Sequence, residues 1–299
     1  MIAGIGAGLL SVLFICGSYI FSREYMHRNN DAVKLAVFSQ LVMTAGGIIL
    51  LVIYSSFSRV PCSMKFFLTV AGQVVTFLAG QTSFFMLLHK VESSRASALL
   101  GLKLMALALI SALIGKTLLP YQWYAVLLCT IAAVGMNFSG GRMSLSSCLW
   151  LVVSVVSYAL CDMCVTELML MMQGNSMLFN SFGVVGVCFT AIGIAVTPAL
   201  FKYRLSVREL KAALPYSLFY FLSMIFLYTS FGIIGVVFGS IIQSGRGIVS
   251  VLLGMILLHY GLDRNEQRIS KAKWVQRFIF AALMLCGMLL YSAGGRFFK

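Results

Sequence analysis

Residues Ser97-Ala98-Leu99-Leu100-Gly101-Leu102-Lys103 and Ser240-Ile241-Ile242-Gln243-Ser244-Gly245-Arg246 decide how this chain reads. Each stretch opens on Ser and closes on a lone cation inside a long apolar run, and the two are offset by 143 residues. Long basic side chains can snorkel to the interface from a helix end, but at mid-span that escape is poor. A cation held there costs roughly 2.5–3.5 kcal/mol on insertion scales. A chain that meets this cost twice, at matching places, needs something anionic to offset it. The pattern predicts two related membrane halves, each bringing one cation to a central cavity for a negatively charged solute.

Composition supports the membrane setting. Of 299 residues, 61% are hydrophobic and 10% charged, with mean hydropathy +0.98. A water-soluble domain is near half apolar and a quarter charged, so this chain has too much apolar surface to hide from water. The formal charge of +14 comes from 22 Lys and Arg against 8 Asp and Glu. In a soluble protein that balance would suggest nucleic acid. Here the basic residues sit mostly in short loops, where they read as topology signals and contacts to anionic lipid headgroups. The first apolar run begins at Ile2 with no basic residue before it, which reads as a retained helix rather than a cleaved leader. Cys161 and Cys164 have C-x-x-C spacing, but inside an apolar run and without a second pair, so packing is favoured over metal or redox chemistry.

A spanning helix needs roughly 20 mostly apolar residues. Ten runs fit, at 2–22, 33–56, 66–88, 94–115, 121–138, 147–172, 177–199, 212–234, 237–259 and 274–294. No P-loop pattern is present to drive transport with ATP. The halves repeat beyond the two cations. Trp123 opens the fifth run and Trp274 the tenth; Gly135-Met136 is echoed by Gly287-Met288, and Ser18-Tyr19 by Ser157-Tyr158. The expected fold is all-α, ten transmembrane helices in two five-helix repeats, residues 1–142 and 143–299. Five is odd, so the second repeat inserts upside down, which places a solute site near the midplane at the repeat interface. Fifteen basic residues flank odd-numbered loops, against five in even-numbered loops and tails. The positive-inside rule then puts both termini outside the cytoplasm.

This arrangement resembles the drug/metabolite transporter superfamily. The stretch Leu88-His89-Lys90-Val91-Glu92 through Leu102-Lys103-Leu104, then Ala108-Leu109-Ile110-Ser111 and Gln122-Trp123, is similar to the third-to-fifth helix region of nucleotide-sugar transporters. There an acidic turn precedes helix four, a Leu-Lys pair lies inside it, and Gln-Trp opens helix five. The resemblance implies that Lys103 contacts the phosphate-bearing part of a substrate. It implies similar work for Arg246, although the family usually has Lys in helix nine. The Gly-Ala-Leu-Asn-Lys signature for guanosine diphosphate sugars is not present, and the second half is closer to bacterial EamA-like exporters. The family's cytoplasmic termini are opposite to the charge count.

The candidate site therefore centres on Lys103 and Arg246, a point charge and a planar fork suited to phosphate or carboxylate. Against this stands an internal ion pair that only locks helices. Asp162 and Glu167 are the two acidic residues within the runs. Asp162 reads either as a proton or gating carboxylate or as a structural partner for one cation. Gly239, Gln243, Arg246 and Ser250 share one helical face, and Gln243 either adds a contact beside the guanidinium or ties helices together. Tyr19 and Tyr158 match between repeats and could touch a base or sugar, although packing or an interfacial belt is the commoner fate of membrane Tyr. Gln40, Gln73 and Gln81 either line the cavity or tie helices. No nucleophile–base arrangement and no metal-ligand cluster is seen, so neither an enzyme nor a cofactor is expected.

The function expected is secondary transport, exchange or export, of an anionic and phosphorylated metabolite such as a nucleotide sugar. The rivals are a general metabolite or amino-acid exporter holding a carboxylate, a flippase for a phosphate-headed lipid, and a non-transporting scaffold whose cations pair with Asp162. The expected partners are a small anionic solute or lipid phosphate and the membrane lipids, with no nucleic acid, in a monomer or homodimer. Short tails and loops favour a bacterial inner membrane over a Golgi membrane.

Overall fold

The computed structural model describes residues 1–29, 31–88, 99–115, 118–136, 144–200, 206–246, 249 and 271–297. Among them there are ten α-helices and no strand: α1 Ile2–Asn29, α2 Ala32–Phe57, α3 Met64–Leu88, α4 Lys103–Leu113, α5 Pro120–Met136, α6 Leu145–Met171, α7 Met177–Leu200, α8 Val207–Ile234, α9 Val236–Ser244 and α10 Lys271–Phe297. A 3₁₀ turn, Leu100–Leu102, leads into α4. Among the described residues, five segments are long and apolar enough to cross a membrane: Ile2–Ser22, Val33–Phe57, Leu145–Met171, Met177–Pro198 and Val207–Ile234. The chain is a helical membrane protein.

The helices gather into two compact units, Met1–Val75 with Cys164–Gly235, and Thr76–Met163 with Val236–Lys299. Each unit takes helices from both halves of the sequence. The divisions fall inside α3 and α6 and at Gly235, which has φ +80 and forms the one-residue joint between α8 and α9. A residue with a Cβ enters that left-handed region only at a cost, so Gly suits the joint.

In the first unit, α1 packs on α8 and α2 on α7. Lipid tails are as apolar as Leu, so helices in a membrane associate through close backbone approach and polar ties rather than hydrophobic exclusion. Both devices are present. Ser223 Oγ donates to Ser11 O at 2.9 Å, and the Phe14 and Phe226 rings stack at 5.6 Å. Between α2 and α7, Gly186 is so close that an added Cβ would stand 2.8 Å from Leu51 N and 3.0 Å from Gly47 O. Gly47 lies against Gly186 and Phe189, and Tyr54 against Gly183, so the two helices run antiparallel. At one end, the Asp31 carboxylate caps α2 by accepting from Val33 N and Lys34 N, while Lys34 Nζ reaches Glu209 Oε1 at 3.2 Å.

In the second unit, α5 packs on α10, and α4 touches both α5 and α9. The α5–α10 crossing is also antiparallel. Gln276 Nε2 donates to Gly135 O at 2.7 Å, Gly135 lies under the Phe280 ring, and Gly287 lies against Cys129 and Ala125. Thus α2, α4 and α5 each pack on the helix five places later in the chain. The α3 portion of this unit meets α6 where Gly80 admits the Tyr158 ring, and Ser154 Oγ donates to Gly80 O at 3.2 Å.

Candidate functional site

The site is assembled in the second unit by α4, α6 and α9. A continuous helix was expected over 94–115. Instead the backbone tightens at Leu100–Leu102, and the Lys103 N–H bonds back to Leu100 O and Gly101 O. Gly101 lets this turn sit on α5, because a Cβ there would stand 2.6 Å from Ala133 Cβ. Lys103 is therefore the first residue of α4. The second half does the same. α9 ends at Ser244, Gly245 N–H bonds to Ile242 O at 3.0 Å, and the chain is helical again at Arg246. Each cation follows directly on a single tightened turn. Such 3₁₀ pieces within a helix often mark hinges.

The Lys103 ammonium donates to Asp162 Oδ2 at 2.6 Å and to Gln243 Oε1 at 3.3 Å. Ser240 Oγ donates to the same Asp162 oxygen at 3.4 Å. One lysine thus joins three helices. The Lys103 and Asp162 side chains are only 18% and 13% exposed. This sets the pair apart from Lys65–Glu167 in the first unit, at 3.6 Å and with side chains 73% and 38% exposed. An exposed pair contributes about 0–1 kcal/mol, whereas removing one partner of a buried pair costs about 3–5 kcal/mol because the other charge is stranded. Among the described residues of the second unit, Asp162 is the sole acidic side chain.

The expected residues divide between the units. Lys103, Asp162, Gln243, Arg246 and Tyr158 fall in the second unit, and Tyr19 of α1 falls in the first. Arg246 is partly buried and stands one turn beyond Gln243. Ser250, expected on the same face, lies outside the described residues, as do His89 and His259. Tyr158, one turn before Asp162, donates through its hydroxyl to Gln81 Oε1 at 2.7 Å. That bond ties α6 to α3 and steadies the helix that carries Asp162. Ser240 was read as the start of the matched stretch and not as a site residue. Its spacing of three from Gln243, on a helix otherwise apolar there, was the available signal.

Chemically, the cluster is a partly buried ammonium with a buried carboxylate counter-ion and two neutral groups that can each switch hydrogen-bond partners. It can accept an anion, exchange its own carboxylate for one, or remain locked.

No family model matches the sequence, and no curated protein matches it. A crystal structure of another protein aligns over 99% of this chain and 98% of its own length, with a TM-score of 0.67 and 14% sequence identity. At that identity the likeness shows the fold alone.

Proposed function

We propose that this chain is a secondary transporter that exchanges or exports an anionic, phosphorylated metabolite of the nucleotide-sugar kind. In this reading all ten helices cross the membrane in two inverted repeats. The helix pairing supports the inversion. A two-fold axis in the membrane plane turns a helix into an antiparallel partner, so helices near the axis meet their own counterparts head to tail. The α2–α7 and α5–α10 crossings have that sense. The match extends to residues: a shift of 152 carries Gly135 onto Gly287 and Phe280 back onto Leu128, the neighbour of the Cys129 that Gly287 touches.

The observation that carries the functional reading is the shared backbone device, a cation set directly after one tightened turn at the same place in each half. Helices interrupted near the substrate site are a transporter feature. Alternating access would rock the helices about the cations, and a bound anion would favour the occluded state by neutralising them. The test is a thermal-shift screen of purified protein against nucleotide sugars, sugar phosphates, organic acids and lipid phosphates, followed by uptake into liposomes. Anions should raise the melting temperature, and Lys103→Gln or Arg246→Gln should each weaken the response. Stabilisation by neutral sugars as strong as by their phosphates would defeat the proposal.

The short Lys103–Asp162 bond supports a second reading, a scaffold in which the pair only fastens α4 to α6. Under it no anion stabilises the wild type, and neutralising both residues together leaves the protein intact and inert.

A further inference from the structure

Lys103 already has a counter-ion, and that fact constrains how any anion could bind. Its ammonium has three protons, of which one points to Asp162 Oδ2 at 2.6 Å and one to Gln243 Oε1 at 3.3 Å. An anion taking the third proton would sit beside the ionised Asp162 carboxylate in a medium of low dielectric, where like charges repel strongly. An anion displacing Asp162 would strand a buried carboxylate, which is just as costly. Both conflicts vanish if Asp162 takes up a proton.

We propose that an anion binds at Lys103 together with one proton, which Asp162 accepts as it releases the ammonium. This rests on reading the cluster as an anion site. The exchange balances. A proton from water joins the Asp162 carboxylate, the Lys103 N–H···Oδ2 bond breaks, and an N–H···O bond to the incoming anion replaces it. The new carboxylic acid has an acceptor at hand, since Ser240 Oγ lies 3.4 Å from Oδ2 and a hydroxyl can turn from donor to acceptor. The surroundings leave the task to Asp162. From α4 it meets Lys103 and from α9 the neutral Ser240; Gln243 holds the same lysine, Arg246 stands one turn beyond Gln243, and on α3 Gln81 takes the Tyr158 hydroxyl. No other described residue of this unit is acidic. With Asp162 ionised, the Lys103–Asp162 pair carries no net charge to offer an anion; with Asp162 neutral, the full charge of Lys103 is available to it.

Inorganic sulfate is the probe, because it keeps its double charge across the pH range where carboxylates titrate. Its affinity for purified protein would be measured by thermal shift between about pH 5.5 and 8. Uptake of one proton per anion predicts that wild-type affinity weakens by up to about tenfold per pH unit as pH rises. Asp162→Asn, which mimics the neutral acid, should bind sulfate tightly and without pH dependence. A second readout uses wild type alone: adding sulfate in weak buffer with a pH indicator should draw about one proton per site from solution. Sulfate binding that is flat with pH and draws no proton would overturn the coupling and leave the anion site standing. No sulfate stabilisation at any pH would remove the anion site and the coupling together.

Discussion

Lys103 of α4 and Asp162 of α6 stand 59 residues apart in sequence and 2.6 Å apart at their charged atoms, largely shielded from solvent. Removing either charge strands the other. We expect Lys103→Gln and Asp162→Asn each to lower stability by about 3–5 kcal/mol in the absence of anions. The double variant should recover most of that loss, because no uncompensated charge remains. Denaturant unfolding of the four proteins in one detergent gives the coupling directly. Additive losses in the double variant would mean that the bond seen here contributes little.

The α5–α10 crossing makes a prediction with an internal rescue. A Cβ on Gly287 would collide with Cys129 Sγ and stand 3.3 Å from Ala125 O. Gly287→Ala should therefore destabilise by about 1–3 kcal/mol through overpacking. Shortening the obstacle with Cys129→Ala should remove most of the penalty in the double variant. Gly6→Ala is the control: nothing lies within 4 Å of its Cβ position, so the change should be neutral or favourable by about 0.5–1 kcal/mol from the better helix former. Thermal melts of the four variants decide it, and a Gly287→Ala protein as stable as Gly6→Ala would contradict the packing.

Tyr25 lies at the far end of α1, beyond the Ile2–Ser22 span, and is buried among Leu35, Phe38 and Ala213. Burial first, then the Glu209 and Asp31 charges, push its phenol up to about 12 from the usual 10. The neutral form is thus favoured in the folded protein. The unfolded chain loses this proton first as pH rises, so the contribution is complete below about pH 10 and is lost between about 10 and 12. Tyr25→Phe should remove that part of the alkaline decline, seen as a flatter melting temperature over the same range. Near neutral pH the substitution should cost little, since the hydroxyl is buried and makes no hydrogen bond among the described residues.

Several of these features could be read before any coordinates. Hydropathy alone marks the helices, because a membrane leaves the backbone few alternatives. The 143-residue offset singles out Lys103 and Arg246 for attention, and the scarcity of acids marks Asp162 as a candidate partner. Which cation it would meet was open, since that depends on how α4, α6 and α9 pack across long stretches of sequence. The turn at Leu100–Leu102 was also hidden. Leu100 and Leu102 are good helix formers and a lone Gly101 within a helical run is tolerated, so the tightening was not marked locally; it goes with the close seat of Gly101 on Ala133. The compact units were unforeseen for a related reason. The expected repeats ran as two consecutive halves of the chain, whereas packing groups helices from both.

That hidden turn yields the last prediction. Gly101 holds the entry to α4 against α5, and a Cβ would stand 2.6 Å from Ala133 Cβ and 3.3 Å from the Ala133 and Val134 backbone. Gly101→Ala must push the turn outward, and Lys103, two residues on, moves with it. Hydrogen bonds weaken steeply once distance and angle depart from the optimum. The variant should therefore lose several-fold in sulfate response beyond its loss of stability, which overpacking sets at about 1–3 kcal/mol. Adding Ala133→Gly restores the missing space, and should return the anion response while leaving a helix-glycine cost of about 0.5–1 kcal/mol. A Gly101→Ala protein that is destabilised yet keeps its full anion response would show that the turn supports the fold without positioning Lys103.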